Sequence, residues 1–272
     1  MLRFFILFIF ISVVSLSAQA QKNEIGVRVL ASGYVGDINP SNYSSFSGSG
    51  YGIFYRKNHN KRISTKIALS KTFVEAYDFE NSDPNLRDRG LSFTSEIIEL
   101  AGQLEISFFD FQVDEGKDKA TPYLFGGVAL INFNPKAIYE GSLVELRPLG
   151  TEGQFLNNSK ATYSKFAASF PVGIGFKYNF AGKWNVNTEI GLRYTTTDYL
   201  DDVSGTYADN QEILEQGGVA AAFLSNPASD NTRYGIEGQQ RGNDVFNDTY
   251  SFITFGLSYT FKPFRCPELS DY

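Results

Sequence analysis

The stretch at residues 250–261, YSFITFGLSYTF, most constrains what this chain can fold into. Ile253, Phe255, Leu257, Tyr259 and Phe261 are apolar or aromatic, while Thr254, Gly256, Ser258 and Thr260 between them are small or hydroxylated. An apolar set at period two puts one face of a strand in an apolar medium. The polar face of a soluble sheet usually carries long solvated side chains. Here it carries side chains suited to a cramped interior, so the apolar face is read as the outer one. Thr254, Gly256, Tyr259 and Phe261 also match the insertion signal of outer-membrane barrels, the final ring sitting where the membrane meets water.

The same alternation recurs along the chain. Ile25, Val27 and Val29 oppose Gly26 and Arg28; Tyr51, Ile53 and Tyr55 oppose Gly52, Phe54 and Arg56; Ile63, Ile67 and Leu69 oppose Ser64, Lys66 and Ser70. A fourth strand sets Ile98, Leu100, Gly102, Leu104, Ile106 and Phe108 against Glu99, Ala101, Gln103, Glu105 and Ser107. The fifth, residues 122–133, is apolar in both registers and interrupted by Gly126-Gly127. The sixth puts Phe166, Phe170, Val172, Ile174, Phe176, Tyr178 and Phe180 outside, and Pro171, which cannot donate to a ladder, predicts a bulge or weakened pairing. The seventh sets Trp184, Val186, Thr188, Ile190, Leu192 and Tyr194 against Asn187, Glu189, Gly191 and Arg193. Residues 34–50, 78–90, 134–161 and 197–247 read as long loops and alternate with shorter turns at 58–60, 110–119 and 181–182. Eight strands with this asymmetry predict an all-β, eight-stranded antiparallel transmembrane barrel of the outer-membrane type, with long extracellular loops and short periplasmic turns.

The ends agree. Arg3, the apolar run 4–16 and Ala18-Gln19-Ala20 form a secretory signal, with cleavage expected between Ala20 and Gln21. That divides the chain into a signal peptide at 1–20, a barrel at 21–263 and a periplasmic tail at 264–272. No later apolar run approaches the roughly 20 residues of a spanning helix, so entry into a membrane requires a closed barrel. Aromatic residues make up 15% of the chain, which suits lipid-facing strands, and the net charge of −6 argues against a nucleic-acid partner. Cys266 stands alone, which excludes a disulfide framework and a cysteine-based zinc site.

An eight-stranded barrel is nearly filled by its own interior side chains. The inward set contains Arg28, Arg56, Lys66, Lys177 and Arg193 with Glu99, Glu105 and Glu189. Buried charges persist when paired and hydrogen-bonded, so a salt-bridge ladder across the lumen is expected; a proton or ion path is the functional alternative. His59 falls in a turn beside Asn58 and Asn60 and reads as a solvated turn residue. Envelope hydrolases need a base beside a nucleophile at the barrel rim; no such pair is legible, and no catalytic residue or cofactor is expected. Asp198, Asp201 and Asp202 offer hard oxygens to calcium or form Asx-turns, their irregular spacing favouring turns. The patch 219–224, VAAAFL, packs on the rim or docks a partner.

Several stretches carry a family likeness: GDIN near Asp37, residues 91–109 (LSFTSEIIELAGQLEISFF), 121–137 (TPYLFGGVALINFNPKA), 146–154 (LRPLGTEGQ) and 195–209 (TTTDYLDDVSGTYAD). In combination and order they resemble the PorG-like outer-membrane barrels of Bacteroidetes over essentially the whole mature chain. The resemblance implies an outer-membrane location and a non-enzymatic part in type IX secretion and gliding. It also implies partners: periplasmic ring proteins of the PorK and PorN type, outer-membrane lipid, and the barrel-assembly machinery during insertion. The family brings no catalytic residues. A ring in the periplasm can reach only the short turns and the tail, so Lys61, Asp110, Asp114, Glu115, Lys117, Asp118 and Lys119 are the candidate partner-binding residues. The tail, FRCPELSDY, departs from the family. The alternative is a free-standing surface receptor or adhesin working through the long loops.

Overall fold

The computed structural model describes residues 22–40, 45–111, 119–156, 162–228 and 233–261. Nine strands run in chain order: β1 Lys22–Val35, β2 Gly48–Asn58, β3 Ile63–Tyr77, β4 Ser92–Ser107, β5 Ala120–Tyr139, β6 Ser142–Glu145, β7 Phe166–Ala181, β8 Trp184–Thr195 and β9 Thr249–Phe261. Sequential neighbours pair antiparallel except β6 and β7, β5 passing its ladder to β7 instead, and β1 pairs with β9. The circuit of eight strands is therefore closed, with no free edge. The ninth, β6, is an outgrowth that pairs only with the far end of β5. Among the described residues no helix is long and apolar enough to cross a membrane.

The outer face is apolar along its full circumference, from Ile25 and Val27 on β1 to Ile253 and Phe255 on β9. Along β8 this band runs from Trp184 through Ile190 to Tyr194. Ten residue steps span about 33 Å along a strand, or about 25 Å of height at a tilt near 40°, the height of an outer-membrane apolar band. Aromatic side chains mark both margins. Phe108, Phe180 and Trp184 lie toward the end with the short turns, and Tyr51, Phe166 and Tyr194 toward the end with the long connections.

The interior has two storeys. The lower, toward the short turns, is charged. The upper is an apolar core: Leu30 and Tyr34 of β1, Val74 of β3, Phe93 and Ile97 of β4, Ile131 and Phe133 of β5, and Tyr250 and Phe252 of β9. Ile38, Leu91, Leu146, Leu200, Val203 and Leu224 of the long connections continue it above the barrel. The polar interior inferred from sequence therefore occupies only part of the lumen. This also accounts for the two apolar faces of β5: Tyr123, Phe125, Ile131 and Phe133 fill the inside while Leu124 and Leu130 face outward.

Three further features depart from the sequence reading. Residues 134–139 are not loop; they extend β5 above the band before it folds back as β6. The long connections hold helices, α1 Pro84–Arg89 and α2 Asn210–Ser225. Asp83 caps α1 by accepting from the Asn85 N–H, and Asp209 caps α2 through the Gln211 N–H. Pro171 pairs without a register shift against Arg193 of β8, and the only shift on that side is at Asn179/Ala181. On its other side the β5–β7 ladder skips Gly127–Val128 opposite Phe170–Pro171. The missing donor thus weakens one seam and leaves the other intact.

Candidate functional site

The charged storey is built by strand parity. Each contributing strand presents alternate residues inward, and the ladder registers set Glu24 opposite Arg56, Arg56 opposite Lys66 and Lys66 opposite Gln103. Arg56 lies 2.9 Å from Glu24 and 2.8 Å from Glu105. Lys66 pairs with Glu105 at 3.2 Å and also with Glu189. Lys177 stands 3.7 Å from Glu105 and 3.9 Å from Glu24. Higher up, Glu99 faces Arg28 at 3.6 Å and Arg193 at 3.5 Å. Tyr123 donates to Glu189 and Tyr250 to Glu99. All eight charged residues expected in the lumen are there, joined by Glu24, none more than 4% exposed. Glu24 escaped sequence reading because it opens its strand, although it shares the parity of Arg28. The described strands thus bury five cations against four carboxylates in this storey.

Aromatic rings close the space that remains. A Cβ on Gly175 would lie 2.3 Å from the Tyr123 ring, and one on Gly191 would lie 2.7 Å from Phe125. Glycine at these positions makes room for rings that a larger residue would expel. Arg193 lies over Phe252, 4.0 Å from the ring centroid. A water-filled channel wets the side chains along it; here these are sealed.

At the long-connection end, three of the family-like stretches, GDIN, 146–154 and 195–209, meet in one cap. Glu152, from GTEG, accepts the backbone N–H groups of Ser204 and Gly205 and pairs with Arg241 at 3.1 Å. Thr151 and Tyr163 both donate to Asp202. Tyr163 stacks on Tyr199 with ring centroids 4.5 Å apart. Asp37, from GDIN, accepts the Asn243 N–H on both oxygens. Arg89 binds Asp78 with two hydrogen bonds and donates to the carbonyls of Asp37 and Arg241. The Tyr34 hydroxyl lies 2.5 Å from Asp201 Oδ2 and 2.8 Å from Asp248 Oδ1. The other oxygen of each carboxyl accepts a backbone N–H, from Val203 and Leu200 respectively. Loops that look irregular in sequence are therefore interlocked side chain to backbone, which leaves no periodic signal to read.

Burial dominates the protonation of this cap. It pushes Asp198 up to about 8 and Asp37 and Asp202 each up to about 6, and raises Asp201 and Asp248 well above the ordinary carboxylate range. Asp201 and Asp202 turn toward different partners, and among the described residues no three His, Cys, Asp or Glu groups are placed to hold a metal ion. In the 219–224 patch Ala221, Ala222 and Leu224 are buried, while Val219 and Phe223 remain exposed and Phe223 meets Tyr139 at 5.5 Å.

At the short-turn end Arg62 donates to Asp110 at 2.7 Å, with Lys61 3.9 Å away, all exposed. The Arg62 hydrogen bond holds the Asp110 carboxyl below its usual range. His59 Nε2 lies 3.0 Å from the Thr65 hydroxyl; partial burial and then Lys57 push its imidazole below the ordinary value. Lys119 is exposed, its carbonyl accepting the Asn179 N–H. Asp114, Glu115, Lys117, Asp118, Cys266, the signal and the tail fall outside the described residues. Thr254 and Gly256 face the lumen; Tyr259 faces outward and meets Trp184 edge-on at 5.1 Å.

Comparison with solved structures returns small outer-membrane barrels at low identity. Ail of Yersinia pestis, bound to the heparin analogue sucrose octasulfate, is 11% identical, with 89% of this chain and 100% of that one covered and a TM-score of 0.41. The N-terminal β-barrel domain of Pseudomonas aeruginosa OprF is 12% identical, covering 89% and 99%, with a TM-score of 0.36. OprG of Pseudomonas aeruginosa is 10% identical, covering 89% and 96%, with a TM-score of 0.38. Likeness at this distance bears on no function. No curated protein matches. A family profile does, over residues 2–222, and the chain belongs to that family, the domain of unknown function DUF6089.

Proposed function

We propose that this protein is a non-enzymatic outer-membrane barrel that anchors or scaffolds the periplasmic ring of a type IX secretion system. The observation that carries the reading is the sealed lumen beneath an interlocked cap, which suits a fixed membrane post better than a conduit. The apolar band of about 25 Å with aromatic margins supports insertion in the outer membrane. By the orientation common to such barrels, the short turns face the periplasm and the cap faces outward. The resemblance to PorG-like barrels supplies the partner, a ring of PorK and PorN type. The exposed charges Lys61, Arg62, Asp110 and Lys119 supply a surface within that ring's reach.

The test is co-purification from cells carrying the full-length protein. Reversing Lys61, Asp110, Glu115, Lys117, Asp118 and Lys119 together is expected to lower ring recovery while heat-modifiable mobility of the barrel stays unchanged, because turn tips carry little folding energy. A second reading, a surface receptor or adhesin, is favoured by Val245 and Phe246, which stand 73% exposed on the cap connection. Loss of ring recovery on replacing these two, with none on turn reversal, would transfer the function to the outer face.

A further inference from the structure

We infer that the cap is held shut by a proton shared between Asp201 and Asp248 around the Tyr34 hydroxyl, and that it loosens as this proton is lost. The argument is a count of hydrogens. Two oxygen–oxygen contacts, 2.5 Å to Asp201 and 2.8 Å to Asp248, meet at one phenol. Contacts that short each need a proton between the oxygens. The phenol supplies one and donates to one carboxylate. The other contact is closed by a carboxylic acid donating to the phenol oxygen. The remaining oxygen of each carboxyl is committed to a backbone N–H, so the second proton sits between Tyr34 and one of the two acids.

The surroundings supply no alternative neutraliser. The charged and titratable groups around the pair are Asp37 beyond β1, Asp78 and Arg89 from the β3–β4 connection, and Glu152 and Tyr163 from the β6–β7 connection. The β8–β9 connection adds Asp198, Asp202, Tyr207, Arg241 and Asp244. Arg89 is bound by Asp78 and Arg241 by Glu152. The other carboxylates only add negative charge, and among the described residues no metal cage forms. Two ionised acids on one phenol in this buried place repel, so a proton is the remaining means of joining them.

The position gives the proton leverage. Tyr34 ends β1, Asp201 opens the longest connection and Asp248 closes it, so the pair clasps both ends of that connection to the barrel wall. A carboxyl whose folded value is raised contributes stability that is complete below its unfolded value, near 4, and is lost as pH rises through the folded value. The clasp is therefore tight in acid and opens toward alkaline pH. Asp37 and Asp202, each at about 6, and Asp198, at about 8, add to the change in the same direction.

The experiment uses the full-length protein in lipid vesicles. Infrared spectroscopy reads the carbonyl stretch of protonated carboxyl groups, and hydrogen exchange reads the amides of residues 199–204 from pH 5 to 9, corrected for intrinsic rates. Asp198→Asn silences that neighbour, and at pH 8 Asp37 and Asp202 are mostly ionised. The protonated-carboxyl band is then expected to persist in Asp198→Asn and to vanish when Asp201→Asn or Asp248→Asn is added. An asparagine amide donates to the phenol oxygen at every pH, so either double variant is expected to keep only the shallower dependence that Asp37 and Asp202 contribute near pH 6 and to exchange alike at pH 8 and pH 9. The Asp198→Asn parent is expected to exchange at least tenfold faster at pH 9 than at pH 5. Absence of the band in that parent, or cap exchange that ignores pH, overturns the proposal. Opening by a chelator at constant pH overturns it in favour of a cation.

Discussion

Arg56 shows how much one side chain carries in a sealed interior. It joins Glu24 to Glu105 and lies over the Phe54 ring, wholly out of solvent. Arg56→Met leaves two carboxylates without their main partner and is expected to cost about 3–5 kcal/mol, read as a lower urea midpoint for loss of heat-modifiable mobility. Parity sets the sign at neighbouring positions. Leu104, 47% exposed on the apolar band, is expected to cost roughly 2–4 kcal/mol when changed to Arg. Gln103, 4% exposed, lies across the ladder from Lys66 in a storey already rich in cations. Gln103→Arg is therefore expected to destabilise and Gln103→Glu to be tolerated; the reverse order in the same urea assay would contradict the charge count. Alternation made Arg28, Arg56 and Glu189 legible as inward residues. It left their partners unread, because partners are fixed by register between strands, which one sequence does not state.

Most strands were legible because an apolar outer face and a crowded lumen impose period two; β5, apolar on both faces, was the exception. The connections answer to neither constraint. Leu146, Leu200 and Val203 are buried in a core that arrives from above, and their spacing follows the path of a loop. The same obscurity hid α2, whose helix breaks at Gly218 with φ 83° and ψ 179°. That backbone region is essentially restricted to glycine, so Gly218→Ala is expected to cost about 1–3 kcal/mol of local stability. Limited proteolysis is expected to show faster cleavage within 210–225 while the barrel keeps its mobility. The extension of β5 into β6 was missed for a related reason. Asn134 and Pro135 read as loop, yet Pro135 pairs with Ser95 of β4 and its carbonyl accepts the Leu146 N–H.

As a whole molecule the chain is a plugged cylinder, with apolar packing above and ionic packing below. The two fillings respond differently to solution conditions. Salt is expected to leave the lower storey nearly unchanged, since ions do not reach it, while weakening the exposed Lys61, Arg62 and Asp110 cluster. Ring co-purification that falls steeply with salt, without loss of the folded barrel, is the expected signature if that cluster carries the contact. The skipped rungs between β5 and β7 bear on the cylinder as a mechanical object. A hoop under tension shares its load among all its joints and parts at the weakest. Pulled laterally, this hoop should split along Gly127–Val128 and Phe170–Pro171. A covalent staple across that line should raise its rupture force more than the same staple across the unbroken β3–β4 joint.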